Sequence, residues 1–283
     1  MCRFVVCIIC FLCVGMSAVG AAEPAQTPLI LAVHPYLPSE EIHKRFTPLA
    51  EYLGKQLGRP VQVRVGRDYI QHVEAIGLNN VDIAFMGPSS FVLMGERYGA
   101  KPLLARIAIK GKPRLSGYIV TSVNSTLRNL GDLRGKRFAF VDPDSTMGTI
   151  VPRYVMQQAG IELKTLASYQ YLGGHKNVAL GVLSGDYDAG AVKSEVYDEM
   201  APRGLRVLAK LPEVSEHLFV ARSDMPDKQV AQLRQALLQL QGEADGVVIM
   251  RAMNKDMTAM VPVVDADYDN LRKIQRTVEL KRN

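Results

Sequence analysis

The sequence predicts a two-lobed α/β protein with a ligand cleft between its lobes. Three observations carry that expectation. Short apolar runs alternate with amphipathic stretches across 28–121 and again across 122–217, a pattern that builds mixed, mainly parallel sheets flanked by helices. One more apolar run, Leu218-Phe219-Val220-Ala221, follows the second series. The chain therefore returns to its first unit, and two segments cross between the units. Finally, about 260 residues remain once a leader is set aside, enough to bury two cores. Lobe 1 is expected over 28–121 plus 218–283, and lobe 2 over 122–217.

The leader is read over 1–22. Met1-Cys2-Arg3 gives a positive start, residues 4–14 are an unbroken apolar run, and small residues continue to Ala22. That run is too short to span a bilayer and suits a signal peptide cleaved after Gly20 or Ala22. Cys13 follows Phe11-Leu12, the wrong context for a lipid-anchored cysteine. A soluble, exported protein is expected. All four cysteines lie in the leader, which excludes a disulfide framework, a thiolate metal site and a cysteine nucleophile in the mature chain. The 34 basic and 28 acidic residues give a net charge of +6. Without a dense basic block interleaved with aromatics, nucleic-acid binding is not expected.

In chain order, Leu29 to Val33 reads as a buried strand ending at His34-Pro35-Tyr36. Residues 40–57 follow as an amphipathic helix through Ile42, Phe46, Leu49, Ala50, Leu53 and Leu57, with Pro48 a candidate kink. Val61, Val63 and Val65 alternate as a strand, 70–77 is a short helix, and 81–86 is a strand ending in Gly87-Pro88-Ser89-Ser90. A helix over 91–98 leads to 103–109, and a strand over 116–121 closes the first unit. In the second unit, strands are expected at 138–141, 168–172, 189–192 and 205–209, with helices from Met147 to Ala159, over 176–184 and over 195–200. After the return strand, helices are expected over 227–241, 244–253 and 266–278.

The stretch 138–152 carries the chemistry. Phe138 to Val141 is a buried strand, Asp142-Pro143-Asp144 a turn, and Ser145-Thr146 cap a helix starting near Met147. Free N–H groups, two hydroxyls and the helix dipole then meet at one point, which suits an anion. Gly148 would let a ligand approach the backbone. The alternative is an ordinary capped helix whose hydroxyls satisfy only its own first turn. Ligands of such sheets bind outside the strands' carboxyl ends, so the turns at Tyr69, Ser89-Ser90 and Ser145-Thr146 are all expected to face the cleft.

With these motifs the chain resembles the phosphonate-binding proteins of bacterial ABC importers, a group of type II periplasmic binding proteins. The carriers are Val81-Asp82-Ile83-Ala84 before Gly87-Pro88-Ser89-Ser90, Gly117-Tyr118, Asp142-Pro143-Asp144-Ser145-Thr146-Met147-Gly148 with Val151-Pro152, Gly174-His175-Lys176-Asn177, and Gly185-Asp186-Tyr187-Asp188. The resemblance implies a periplasmic protein that closes on a small anionic ligand and delivers it to an ABC permease. It implies Ser145, Thr146 and His175 for the oxyanion, Tyr69 and Tyr118 as walls, and Glu195 for a cationic tail. Read alone, His175 is better taken as a capping residue before the Asn177 helix, and Glu195 as an exposed acid at a helix start.

Two departures from the family pattern, one that removes a donor and one that weakens the amine clamp if His217 takes the carboxylate's place, count against an aminoethylphosphonate ligand. Met147 stands where the family often has a hydroxyl, and Glu216-His217 lies where a second carboxylate is expected. Metal-spaced histidines and the motifs of metalloproteases, serine hydrolases and nucleotide-binding loops are missing. No enzyme activity, no cofactor and no metal are therefore expected, and the protein is read as a monomer. Met250, Met253, Met257 and Met260 step by three and four residues. Such a stripe is more often core than a copper site. The remaining alternative is a ligand sensor that reports to the periplasmic domain of a sensor kinase.

Overall fold

The structure is a computed structural model that describes residues 26–280. The leader expected over 1–22 lies outside the described residues. Strands are β1 (Leu29–Val33), β2 (Val61–Val65), β3 (Ile83–Met86), β4 (Leu103–Ile109), β5 (Arg114–Leu115), β6 (Gly117–Ser122), β7 (Arg137–Phe140), β8 (Ser168–Tyr171), β9 (Ala189–Lys193), β10 (Leu205–Lys210), β11 (Val214–Ser215), β12 (Leu218–Ala221) and β13 (Met257–Val261). Helices are α1 (Ser39–Leu57), α2 (Tyr69–Gly77), α3 (Pro88–Tyr98), α4 (Val151–Gln158), α5 (His175–Leu183), α6 (Ser194–Met200), α7 (Asp227–Gln239), α8 (Gly246–Met253) and α9 (Asp269–Leu280).

A six-stranded sheet runs β13-β4-β12-β3-β1-β2 and a five-stranded sheet runs β10-β6-β9-β7-β8. Both are mixed. Among the described residues, two of the five pairings in the first sheet and two of the four in the second are parallel. The parallel share is lower than alternating strands and helices suggest. The returning β12 enters between β3 and β4 against both, and β6 runs against β9 and β10. The 116–121 strand, read as closing the first unit, is β6 and belongs to the second sheet. The crossing comes earlier, at β5.

Period-two alternation sorts the side chains. In β7, Phe138 and Phe140 join one apolar cluster while Ala139, with Val141 just beyond the strand, joins another with Val178 and Val182. On the first sheet, Ile42, Phe46, Leu49 and Leu53 of α1 pack with Leu31, Val33, Phe85 and Phe219. Each such side chain contributes about 1.5–3 kcal/mol on burial. Helix α1 runs on through Pro48 as a single element. The cluster of Phe138 and Phe140 spans both sheets, taking in Met86 and Phe91 as well as Met147 and Ile150, and α9 packs on both α3 and α4.

The two crossing segments meet in an antiparallel ribbon, with Leu115 opposite Val214 and Arg114 opposite Ser215. Glu216 N–H donates to the Pro113 carbonyl at 3.2 Å, and the Tyr268 hydroxyl donates to the Glu216 carbonyl at 2.7 Å. Strand β13 corrects the methionine stripe. Met250 and Met253 lie on α8, Met257 and Met260 on a strand, and all four are core residues at 1–3% exposure.

Candidate functional site

A cavity with about 60 Å³ of room for the centre of a water-sized body lies between the sheets. Its polar lining comes from chain ends that the strands bring together. From the first sheet come His34 after β1, Tyr69 at the start of α2, Gly87 after β3, and Glu216 and His217 ahead of β12. From the second come Ser145, Thr146 and Met147 after β7, His175 after β8, Lys193 at the end of β9 and Glu195 in the first turn of α6. This is the carboxyl-end rule of α/β sheets applied twice. Phe46, Phe85, Ile107, Met253 and Met257 supply an apolar side. Outward, the cavity meets a groove of about 840 Å³ that shares Tyr36, His175, Lys193 and Glu195 with it.

The turn after β7 is built locally. Asp142 accepts from Asp144 N–H at Oδ1 (2.9 Å) and from Ser145 N–H at its carbonyl (3.0 Å). Ser145 then caps the helix, its Oγ accepting from Gly148 N–H at 3.2 Å, and its hydroxyl proton is left for another acceptor. The first turn, Thr146–Ile150, is π-wound, with Thr149 and Ile150 N–H both donating to the Ser145 carbonyl at 3.0 Å. The N–H groups of Thr146 and Met147 precede the first intrahelical bond. Gly148 is glycine for a reason other than the expected close approach of a ligand. A Cβ there would come within 2.4 Å of Val141 and 2.7 Å of Ser145 Oγ.

Of the residues singled out from sequence, Tyr69, Ser145, Thr146, Met147, His175 and Glu195 line the cavity, whereas Ser89, Ser90, Tyr118 and Gly148 do not. Ser89 and Thr146 join the two units. Thr146 Oγ1 accepts from Ser89 N–H at 3.0 Å and contacts Ser89 Oγ at 2.8 Å. Ser89 Oγ donates to the Asp144 carbonyl, so the hydroxyl proton of Thr146 points to Ser89. Ser90 is fully buried in α3. Tyr118 sits on the other face of β6 from Ile119, packing edge-on against Tyr197 at 4.9 Å.

Glu195 is not a free carboxylate. Its Oε2 lies 2.6 Å from Lys193 Nζ and its Oε1 accepts from Asn254 Nδ2 at 2.8 Å. Burial alone would raise its pKa, but the Lys193 charge and these hydrogen bonds hold it at about 2. Burial likewise works against Lys193, whose ammonium is nonetheless held above its usual value by Glu195. Burial, then the Lys193 charge, push His175 down to about 3, so the ring is neutral. Burial, and then the charge of Asp142, raise the Tyr69 phenol, which stays protonated. His34, Lys193 and Asn254 were not singled out from sequence. The signal for the first two was available, since both end buried strands on the side where ligands bind.

Two mixed sheets joined by a paired double crossing, with a polar cavity between them, define a two-lobed binding protein. Residues 31–268 match the family of ABC transporter, phosphonate, periplasmic substrate-binding proteins, and the chain belongs to it. The phosphate-import protein PhnD of Mycolicibacterium smegmatis is 28% identical over 283 aligned residues, covering 89% of this chain and 86% of that one. The fold matches PhnD1 of Prochlorococcus marinus in complex with methylphosphonate (TM-score 0.79, 23% identity, 89% and 98% of the two chains). It also matches a binding-protein component of a Pseudomonas aeruginosa ABC phosphonate transporter (TM-score 0.80, 18% identity, 91% and 90%). The sensor-kinase alternative receives no support from these relatives. No described helix is long and apolar enough to cross a membrane.

Proposed function

We propose that the protein captures a small phosphorus oxyanion of the phosphonate, phosphite or phosphate type by lobe closure and hands it to an ABC permease. One observation carries this reading: donors converge on one side of a small cavity. They are the Ser145 hydroxyl, the N–H groups of Thr146 and Met147, His175 and the Lys193 ammonium. Charge-assisted hydrogen bonds to oxyanions are the strong ones. A water needs about 10–15 Å³ by this measure, so the cavity takes roughly four to six heavy atoms, the size of a tetrahedral oxyanion with a short substituent. Thr146 contributes its N–H and latches the lobes through Ser89, and Tyr69 walls the site. Glu195 is spent on Lys193 and Asn254, which disfavours an amino-bearing ligand. The ligands named for the Mycolicibacterium and Prochlorococcus relatives are of the proposed class.

In this reading lobe 1 comprises the six-stranded sheet, lobe 2 the five-stranded one, and residues 110–116 and 211–217 form the hinge. The leader is removed on export, and the protein works as a monomer that turns nothing over. A thermal-shift panel of phosphate, phosphite, methylphosphonate, aminoethylphosphonate, sulfate and arsenate tests it. A phosphorus oxyanion should raise Tm, since ligand at a hundredfold excess over Kd adds about 2.7 kcal/mol. Aminoethylphosphonate should do less. A panel in which only sulfate shifts Tm, or nothing does, rejects the reading.

A further inference from the structure

Lys193 and Glu195 face each other across the bend from β9 into α6. Lys193 is the last residue of the strand, and Glu195 lies in the first turn of the helix. An acid in a first turn is favoured by the helix dipole alone, so Glu195 is unremarked there. Its occupant is what stands out. Lys193 Nζ lies 2.6 Å from Glu195 Oε2, and both side chains are largely buried, at 22% and 20% exposure. Asn254 Nδ2 donates to the other carboxylate oxygen at 2.8 Å. The ring of Tyr36 has its centroid 5.9 Å from the same ammonium. The Lys193 N–H donates to His175 Nδ1 at 3.2 Å, which fixes the backbone beneath the side chain.

A carboxylate beside an aromatic ring, shielded from water, is an arrangement that holds free alkylammonium ions. Here the ammonium belongs to the chain itself. The seat draws on both sheets, with Glu195 and Lys193 from the second, and Tyr36 after β1 and Asn254 after α8 from the first. The cavity's other carboxylate, Glu216, is engaged by His217, so Glu195 is the one placed to take a cation. A tethered ammonium also outcompetes a ligand's own, because it is always present at high effective concentration. We propose that Lys193 fills an ammonium seat formed by Glu195 and Tyr36 and held by Asn254, and that this self-occupancy excludes amino-bearing phosphorus oxyanions. The seat stands on the geometry alone, and its role as a ligand filter rests on the oxyanion reading above.

A purely structural ion pair and an occupied seat differ in what can replace the lysine. Trimming Lys193 to alanine frees the room from Cγ to Nζ, which is the length of a propylammonium ion. A seat selects that ion by charge and shape, whereas a structural pair leaves a gap with no such preference. The outer groove meets the cavity at Tyr36, His175, Lys193 and Glu195, so a small amine has a way in. Ser145 and Thr146 line the same cavity, so an oxyanion held there and an ammonium on Glu195 would share one enclosure. In the parent protein, Lys193 keeps further N–H donors for the oxyanion beyond the one given to Glu195.

Thermal unfolding of the mature Lys193→Ala protein in propylammonium chloride, against sodium chloride at equal concentration, tests the seat. At about five times its Kd the amine should raise Tm by roughly 2–4 °C. It should do nothing for the parent, whose seat is filled. Lys193→Ala/Glu195→Gln leaves no unpaired carboxylate in the seat, so it should fold and should not respond. A Lys193→Ala protein that responds no more to propylammonium than to sodium, or that stays unfolded at saturating propylammonium, overturns the proposal. Calorimetry then tests the filter. The parent should bind methylphosphonate more tightly than aminoethylphosphonate, and in Lys193→Ala the affinity ratio should shift toward aminoethylphosphonate by about ten- to a hundredfold. An unshifted ratio, or a parent that prefers aminoethylphosphonate with Lys193 in place, overturns the filter and leaves the oxyanion reading standing. If propylammonium stabilises the variant but no phosphorus oxyanion binds either protein, the oxyanion reading fails and the seat stands without the filter.

Discussion

The two walls of the cavity are assembled in different ways. The second-sheet wall takes Ser145, Thr146 and Met147 from one continuous turn, whose hydrogen bonds run between neighbours a few residues apart. The first-sheet wall draws on His34, Tyr69, Gly87 and Glu216-His217, which only strand order brings together. His34 stacks on His217 at 5.2 Å across 183 positions of sequence, because β12 enters the sheet beside β3, which pairs with β1. A wall made locally announces itself in sequence, and one made by topology does not. The same difference separates their chemistry. Capping turns expose N–H groups and so make donors, whereas the carboxylate of Glu216 on the first-sheet wall is a side chain.

The largest expected effect comes from removing Lys193, the one lysine or arginine lining the cavity among the described residues. Lys193→Met leaves Glu195 buried with Asn254 as its remaining partner, which should cost about 3–5 kcal/mol of stability by chemical denaturation at neutral pH. The pH dependence follows from Glu195. Its folded pKa of about 2 lies below the ordinary 4.5. The parent's stabilisation is therefore complete above the ordinary value and is lost as pH falls through about 2. In Lys193→Met that acid-side loss should shrink, because the paired charge is already gone. An unchanged acid limb would mean that the pair contributes nothing.

A middling effect is expected at the contact between the lobes. Thr146→Val removes the acceptor of Ser89 N–H and should weaken ligand binding by about tenfold, roughly what one or two neutral hydrogen bonds contribute. If small-angle scattering shows the liganded variant as compact as the parent and calorimetry finds equal affinity, Thr146 is not the latch. The smallest effect belongs to Tyr118. Tyr118→Phe keeps the packing on Tyr197 and touches nothing in the cavity, so affinity should hold and stability should move by less than about 0.5 kcal/mol. A tenfold loss of affinity would restore the wall role that the family resemblance implied.

What sequence made legible follows the same division. The run Asp142-Pro143-Asp144-Ser145-Thr146 is a turn and a cap in sequence and in structure, because both are decided by nearest neighbours. Strand β13 was read as part of a methionine stripe. The spacing of Met257 and Met260 fits a helix as well as the bulged strand that the structure has, in which the register shifts between Met257 and Ala259. Glu195 looked like a carboxylate free for a ligand. Nothing local reveals that Asn254, 59 residues away, and Lys193 occupy both its oxygens. The antiparallel entry of β12 and β6 was also hidden, since apolar runs do not state direction.

The central claim is that the turn after β7 holds the ligand, and Ser145 tests it most directly. Ser145 Oγ already accepts from Gly148 N–H, and its proton, unlike that of Thr146, is not committed to Ser89. The measurement is isothermal titration of methylphosphonate into parent and Ser145→Ala protein at neutral pH, with unfolding followed in parallel because the lost cap can cost up to about 2 kcal/mol. A hydrogen bond to a charged oxygen is worth about 1.5–3 kcal/mol, so the variant should bind about ten- to a hundredfold more weakly while remaining folded. A folded Ser145→Ala protein that binds as tightly as the parent would contradict the account, and Ser145 would then only cap its helix.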